Sequence, residues 1–469
     1  METMQADDAR GGPGAAARPP HLLAGRRRAG VLCPLAALPA DDSPMRFLDW
    51  LARSGAGVWQ ILPFDPPDAH GSPYSSISLN AGDTALLAGL AIAPDALPWQ
   101  GFADAPAWLR EHALFEVARA HLGPQWCEWP APLRDRDGDA LAALAAANGP
   151  ALDACVARQS LFFARLARLR REANARDILL FGDVALYPAL DSVDVWSHRA
   201  LFELDVRGRP LRVAGVPPDY FSATGQYWGN PVYDWPAHVR EGFAWWRARI
   251  GHQLQALDVL RIDHFRGLQA AWCIPALSDE ARDGLWCEVP GAAMLGSLSP
   301  AVRSALVAED LGVITPAVDA LRTDFDLPGM RVLQFAFSGD ADNPHLPALI
   351  DRRQIVYTGT HDNDTSLGWL RALDAGTRAQ VVHALRAVEP TLDAADDIAC
   401  VRAFVTLACA TLADTAIVPM QDVLALGSEA RINVPGSVSP RNWAWRLDPA
   451  MLADAAADAL RGTFLATGR

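Results

Sequence analysis

At 469 residues, with 51% apolar and 20% charged side chains, the chain has ample material for a core and is too apolar for wholesale disorder. Its formal charge of −14 argues against nucleic acid and anionic membrane surfaces as partners. All 41 basic residues are arginine, which removes Schiff-base, phosphate-loop and kinase-type lysine chemistry.

Residues 1–28 are rich in Ala, Gly, Pro and Arg without an apolar run, and are expected to form a disordered tail lacking a secretion signal. No stretch reaches the ~18 apolar residues of a membrane span, so a soluble, cytoplasmic protein is expected. Gly30–Leu38 reads as a first strand. Asp42-Ser43-Pro44 then opens a helix that Gly55 ends. Gly57–Phe64 is a second strand, followed by a polar loop from Asp65 to Asp83. Between about 90 and 176 the period becomes helical and no convincing strand interrupts it, so this is read as a helical insertion. Further strands are expected at Ile178–Tyr187, Val259–Phe265, Ala305–Glu309, Met330–Phe337, Ile355–His361 and Ala416–Asp422. The segment from about 188 to 258 reads as a long loop.

Eight strands with helical crossovers predict a (β/α)8 TIM barrel with helical and loop insertions, forming one catalytic domain over 29–469. A doubly wound open sheet is the competing arrangement. It would carry a glycine-rich dinucleotide turn after the first strand, and none is present. The seven cysteines are scattered, none as C-x-x-C or at zinc spacing, and are expected to be buried thiols. No cofactor and no metal are expected.

In a barrel the C-terminal strand ends share one mouth. Those ends carry Asp183; Arg261 and Asp263; Glu309 and Asp310; His361, Asp362 and Asp364; and Gln421 and Asp422. Taken alone, Arg261-Ile262-Asp263 is equally an ion pair closing a strand. Carboxylates recurring at five of eight ends point instead to chemistry, since crowded acids repel and raise one another's pKa. A divalent-metal hydrolase would need more histidine than His264 and His361 supply at these ends. Retaining glycoside chemistry needs one ionised carboxylate and a second held protonated, roughly 5 Å apart. Arg261, two residues before Asp263 and on the same strand face, would keep that carboxylate charged. Asp310 would help raise the pKa of Glu309.

Longer motifs carry a resemblance. They include S-P-Y-S-S-I-S (72–78), G-D-V-A-L-Y (182–187), D-S-V-D-V-W (191–196), A-G-V-P-P-D-Y-F-S-A-T-G-Q-Y-W-G-N-P-V-Y (214–233) and R-I-D-H-F-R-G (261–267). A-E-D-L-G-V-I-T-P (308–316), Y-T-G-T-H-D-N-D-T-S-L-G-W (357–369) and P-M-Q-D-V-L-A-L-G-S-E-A-R-I-N-V-P-G (419–436) complete the set. Through these motifs the chain beyond about residue 28 resembles the bacterial 4-α-glucanotransferases, or amylomaltases, relatives of the α-amylases.

The resemblance implies Asp263 as nucleophile, Glu309 as acid/base and Asp362 as a third carboxylate holding substrate hydroxyls. Arg261 and His361 would flank the sugar at the cleavage point, and residues 214–233 would form a lid with Tyr220 and Phe221 over the acceptor side. Tyr74, Asp191, Gln226, Trp228, Asn230 and Asn433 would line the glucan groove. The implied partners are an α-1,4-glucan donor and a glucose or maltooligosaccharide acceptor. An α-glucan hydrolase on the same barrel is the alternative, and a non-catalytic glucan-binding protein would have lost a carboxylate. The chain departs from the family pattern in lacking a glycine-rich G-I-G-D-L-G segment after the first strand, in Asp83-Thr84 for Asn-Pro, and in Ser439-Pro440-Arg441-Asn442-Trp443. These departures fall on the rim, where acceptor preference and glucan length would be set.

Overall fold

A computed structural model of the chain describes residues 20–93, 96–218, 224–278 and 280–469. The strands are β1 (Arg28–Leu32), β2 (Val58–Gln60), β3 (Leu179–Val184), β4 (Arg212–Val216), β5 (Gln226–Pro231), β6 (Val259–Ile262), β7 (Ala270–Pro275), β8 (Leu285–Glu288), β9 (Leu306–Ala308), β10 (Gly329–Val332), β11 (Gln354–Tyr357) and β12 (Thr415–Pro419). Eight of them form one parallel sheet in the order β10-β11-β12-β1-β2-β3-β6-β9. These are the eight expected strands, each shorter than its apolar run. The sheet curls into a (β/α)8 barrel whose seam, between β9 and β10, is bridged by Ala308 N–H donating to Pro328 O at 2.9 Å.

Asp310 strengthens that seam. Its carboxylate accepts from Met330 N (2.6 Å) and pairs with Arg331 (3.1 Å) and Arg322 (3.3 Å). Gly329 permits the approach, since a β-carbon there would lie 2.3 Å from Asp310 Oδ2.

Alternation along the strands sorts two cores. Leu32, Val58, Phe181, Val259, Val307, Met330, Ile355 and Ile417 point inward and fill the barrel, while Val31, Trp59, Leu180, Leu260, Leu306 and Val356 pack against the surrounding helices.

Two expectations need correction. Residues 20–28 are not a free tail. Leu23 is buried in the barrel's inner core, His21 Nε2 lies 2.8 Å from Leu306 O, and Gly25 N–H donates to Asp414 (2.6 Å). Short, Arg-rich sequence hid this, because one apolar side chain suffices to close the barrel floor.

Nor is 188–258 only a loop. β4 and β5 pair antiparallel and join β7 and β8 in a second sheet, ordered β5-β4-β7-β8. Gly229 and Pro231 made β5 read as loop, but proline is tolerated on an edge strand, which β5 is. The segment also holds helices Trp235–Arg240 and Ala244–Ala256. Among the described residues the 90–176 region holds no strand and becomes helical only from Ala107, with its longest helices at Ala107–Leu122 and Gly149–Asn174.

Candidate active site

Strand alternation puts Val259, Arg261 and Asp263 on the inner face of β6, and Phe181 and Asp183 on that of β3. Asp183 and Arg261 are direct cross-strand partners. Arg261 Nη1 therefore lies 2.6 Å from Asp183 Oδ2 as well as 2.9 Å from Asp263 Oδ1, and Nη2 lies 3.9 Å from Glu309 Oε2. One nearly buried guanidinium serves all three carboxyls. Asp183 also accepts from the Tyr74 hydroxyl at 2.7 Å. Burial pushes its carboxyl up to about 7, against the pull of Arg261. Sequence reasoning placed Asp183 at the mouth without a role. The signal was its spacing, two residues after an inward Phe, matching Arg261 on the next strand.

The ladder continues past the ends of β6 and β9. Glu309 N–H donates to Ile262 O and Phe265 N–H donates to Glu309 O, each at 3.1 Å. His264 then takes a left-handed backbone (φ 49°, ψ 49°), unusual for a residue with a β-carbon. The turn aims its N–H at Glu309 Oε2 (2.7 Å), while Leu311 N–H donates to Oε1 (2.9 Å). The Glu309 carboxyl is thus held at both oxygens. Burial raises its pKa to about 8, with Asp263 adding to the rise, against Arg261 and the two N–H donors. The expected helper, Asp310, plays no such part: it faces the barrel seam. Adjacent residues point to opposite sides, so only one of the pair could enter the mouth.

Asp362 is fixed from beyond β12. Asn433 Nδ2 donates to its Oδ1 at 2.6 Å, and Arg431 Nη2 donates to its backbone oxygen at 2.6 Å. His361 stacks on Tyr74, with ring centroids 5.4 Å apart and planes within 9°. Trp443 lies 5.7 Å from both rings. These three form an aromatic wall. Burial keeps His361 below its ordinary pKa, so the wall is uncharged at neutral pH. Arg431 and Trp443 were not expected in the site. Arg431 stands in the 419–436 motif two residues before Asn433, and Trp443 closes the 439–443 segment expected at the rim.

Two cavities of about 530 and 520 Å³ meet at Asp263, Asp362, His264, Gln226 and Trp228. The first runs along Tyr74, His361 and Trp443; the second holds Arg261, Glu309, Trp286 and Trp369. Together they form one groove with the acids at its waist.

Gln226 Oε1 accepts from Trp228 Nε1 (3.1 Å), and the Trp228 ring meets His264 edge-on. Asn230 lines the groove but spends its amide on Pro188 O (2.9 Å). Asp191 lines neither cavity; its carboxyl faces the Trp126 backbone in the helical insertion. Tyr220 and Phe221 lie outside the described residues. Asp422, another strand-end acid, is structural: it accepts from Thr358 Oγ1 (2.5 Å), Ser366 Oγ (2.6 Å) and Ser366 N (2.7 Å). Among the described residues, the mouth gathers no three His, Cys, Asp or Glu ligand atoms able to share one ion.

A protein-family model described as 4-alpha-glucanotransferase, glycoside hydrolase family 77, matches residues 42–101 and 94–452. The 4-alpha-glucanotransferase of Thermus thermophilus is 40% identical, with 90% of this chain and 94% of that protein covered. The chloroplastic/amyloplastic one of Arabidopsis thaliana is 37% identical over 90% of this chain and 82% of its own. Among solved structures, the amylomaltase of Streptococcus agalactiae in complex with acarbose superposes with a TM-score of 0.85. It is 28% identical, with 95% of this chain and all of that one covered.

Proposed function

Because the chain belongs to the 4-alpha-glucanotransferase family and is an enzyme of that type, we propose that it transfers a segment of an α-1,4-glucan by double displacement at Asp263. The reading rests on one observation. Glu309, a carboxyl that burial keeps protonated at neutral pH, shares the Arg261 guanidinium with the more open carboxylate of Asp263. That is the acid and nucleophile pair a retaining mechanism needs.

In the first step an Asp263 oxygen attacks the anomeric carbon as the glycosidic C–O bond breaks. Glu309 gives its proton to the departing oxygen, leaving a glycosyl–Asp263 ester and an ionised Glu309. In the second, Glu309 takes the proton of an acceptor hydroxyl, whose oxygen displaces Asp263 at the same carbon. Two inversions retain the α configuration. Asp362, fixed by Asn433, faces the waist where it can hold sugar hydroxyls, and the Tyr74–His361–Trp443 wall offers flat faces for sugar rings.

Water competes for the ester. With about 55 M water against about 1 mM sugar, transfer must be favoured by nearly five powers of ten, roughly 6–7 kcal/mol. Acceptor binding in the Glu309-side cavity is the source assigned here.

The test is a maltotriose digest. Transfer yields glucose plus oligomers longer than three units, whereas the alternative hydrolase yields only shorter sugars and would overturn the transferase reading. Acid-quenched wild-type enzyme should carry a glycosyl adduct on the peptide containing Asp263. An adduct on any other residue would displace Asp263 as nucleophile.

A further inference from the structure

The helical insertion brings together three side chains that the glucan chemistry does not use. His112 and Glu116 stand four residues apart on one face of Ala107–Leu122, and Cys155 reaches them from Gly149–Asn174, which packs against that helix. Their ligand atoms all lie within 4.8 Å of one another. We propose that His112, Glu116 and Cys155 form a zinc-binding site, unrelated to catalysis, that ties these two helices together.

The distances suit the ion. With Zn–S of about 2.3 Å and Zn–N and Zn–O of about 2.0–2.2 Å, a tetrahedral site sets S···O at about 3.6 Å and N···O at about 3.4 Å. Here Cys155 Sγ lies 3.5 Å from Glu116 Oε2, and His112 Nε2 lies 3.6 Å from the same oxygen. A second observation points to a ligand. The His112 side chain is only 1% exposed, yet neither ring nitrogen has a hydrogen-bond partner. An imidazole buried without partners forfeits the solvation of both nitrogens, and ligation at Nε2 would restore a partner to one of them.

Arg158 Nη2 donates to the other Glu116 oxygen, Oε1, which orients Oε2 toward the cluster as supporting groups do around metal ligands. Glu116 is 37% exposed on its side chain, so the fourth coordination position opens toward solvent on that flank. Binding is balanced by one proton: the Zn–S bond forms as the Cys155 thiol releases its hydrogen to water. The sequence showed no zinc spacing because the ligands are split, two on one helix turn and the third 39 residues on.

Cadmium and zinc titrations of the full chain test the site. Cadmium should bind with one equivalent giving a thiolate charge-transfer band, and zinc should compete it away. Zinc should also raise the melting temperature of the wild type. Cys155→Ser should lose the band and the shift while keeping transfer activity, which reports its fold. Glu116→Gln, at the exposed flank, should weaken binding at least tenfold and serves where the serine variant folds poorly. A wild type without the band, or a Cys155→Ser variant retaining it at wild-type strength, would overturn the proposal.

Discussion

Replacing Glu309 by Gln should make the enzyme inactive and its fold less sensitive to rising pH. The folded pKa of Glu309 is raised to about 8 from an ordinary 4.5, so between those values the folded state holds a proton that the unfolded chain releases. Folding stability therefore falls as pH rises. The contribution is complete below about 4.5 and is lost progressively until pH passes about 8. Integrating the two titrations gives a loss of about 1 kcal/mol by pH 5 and about 3 kcal/mol by pH 7.

Glutamine does not titrate, so the variant escapes that loss. It carries a separate, pH-independent cost: its amide has one acceptor oxygen, whereas His264 N–H and Leu311 N–H each need one. Stranding one donor costs about 1–3 kcal/mol. The absolute stability of the variant is thus uninformative, and the slope decides. Urea denaturation at pH 5 and pH 7 should show the difference between variant and wild type moving by about 2 kcal/mol in the variant's favour. A difference that is flat across this range would refute the raised pKa, and with it the assignment of Glu309 as the acid.

The same group sets an alkaline limb. kcat/KM for the donor should fall tenfold per pH unit above about 8, and a limb centred below pH 6 would exclude Glu309 as its source. Asp263→Asn should retain glucan binding by calorimetry while losing turnover; retained turnover would sink the nucleophile assignment. Tyr74→Phe keeps the ring stacked on His361 but removes the bond that buried Asp183 accepts, and urea denaturation should register a loss of about 1–3 kcal/mol, with no measurable loss showing that the bond does not support the site. Asp310→Asn leaves Arg331 buried without its counter-charge at the barrel seam, while Arg322 keeps Asp319 at 2.6 Å. Urea denaturation should register a loss of about 3–5 kcal/mol, and a loss under 1 kcal/mol would show that the seam does not depend on that charge.

The barrel was legible because its strands are buried on both faces and so read as continuous apolar runs, as in Val259–Ile262 and Leu306–Ala308. The β4–β5–β7–β8 sheet was not, since its edge strand mixes Gly229 and Pro231 with aromatics. At the mouth, the sequence offered carboxylates at five strand ends without ranking them. Asp183, Asp310 and Asp422 carry the same local signature as Asp263, Glu309 and Asp362. What separates the two sets is the groove, which Asp263, Glu309 and Asp362 line, whereas Asp183, Asp310 and Asp422 are turned away from it onto Tyr74, the Met330 N–H and Ser366. Tertiary pairing of that kind leaves no trace in local periodicity.

The assignment of acid and nucleophile then follows from counting charges around Arg261. One guanidinium faces three carboxyls and cannot neutralise them all. Asp183 holds the contact at 2.6 Å and the Tyr74 hydroxyl besides; Asp263 holds the contact at 2.9 Å and opens to the groove. Glu309 is left with the longest contact, 3.9 Å, in a nearly buried position, so the shared proton settles there. Removing Asp183 would hand Arg261 more fully to Asp263 and Glu309, drawing the Glu309 pKa down. Asp183→Asn should therefore move the alkaline limb of kcat/KM to lower pH, and an unmoved limb would mean that the three carboxyls do not compete for one cation.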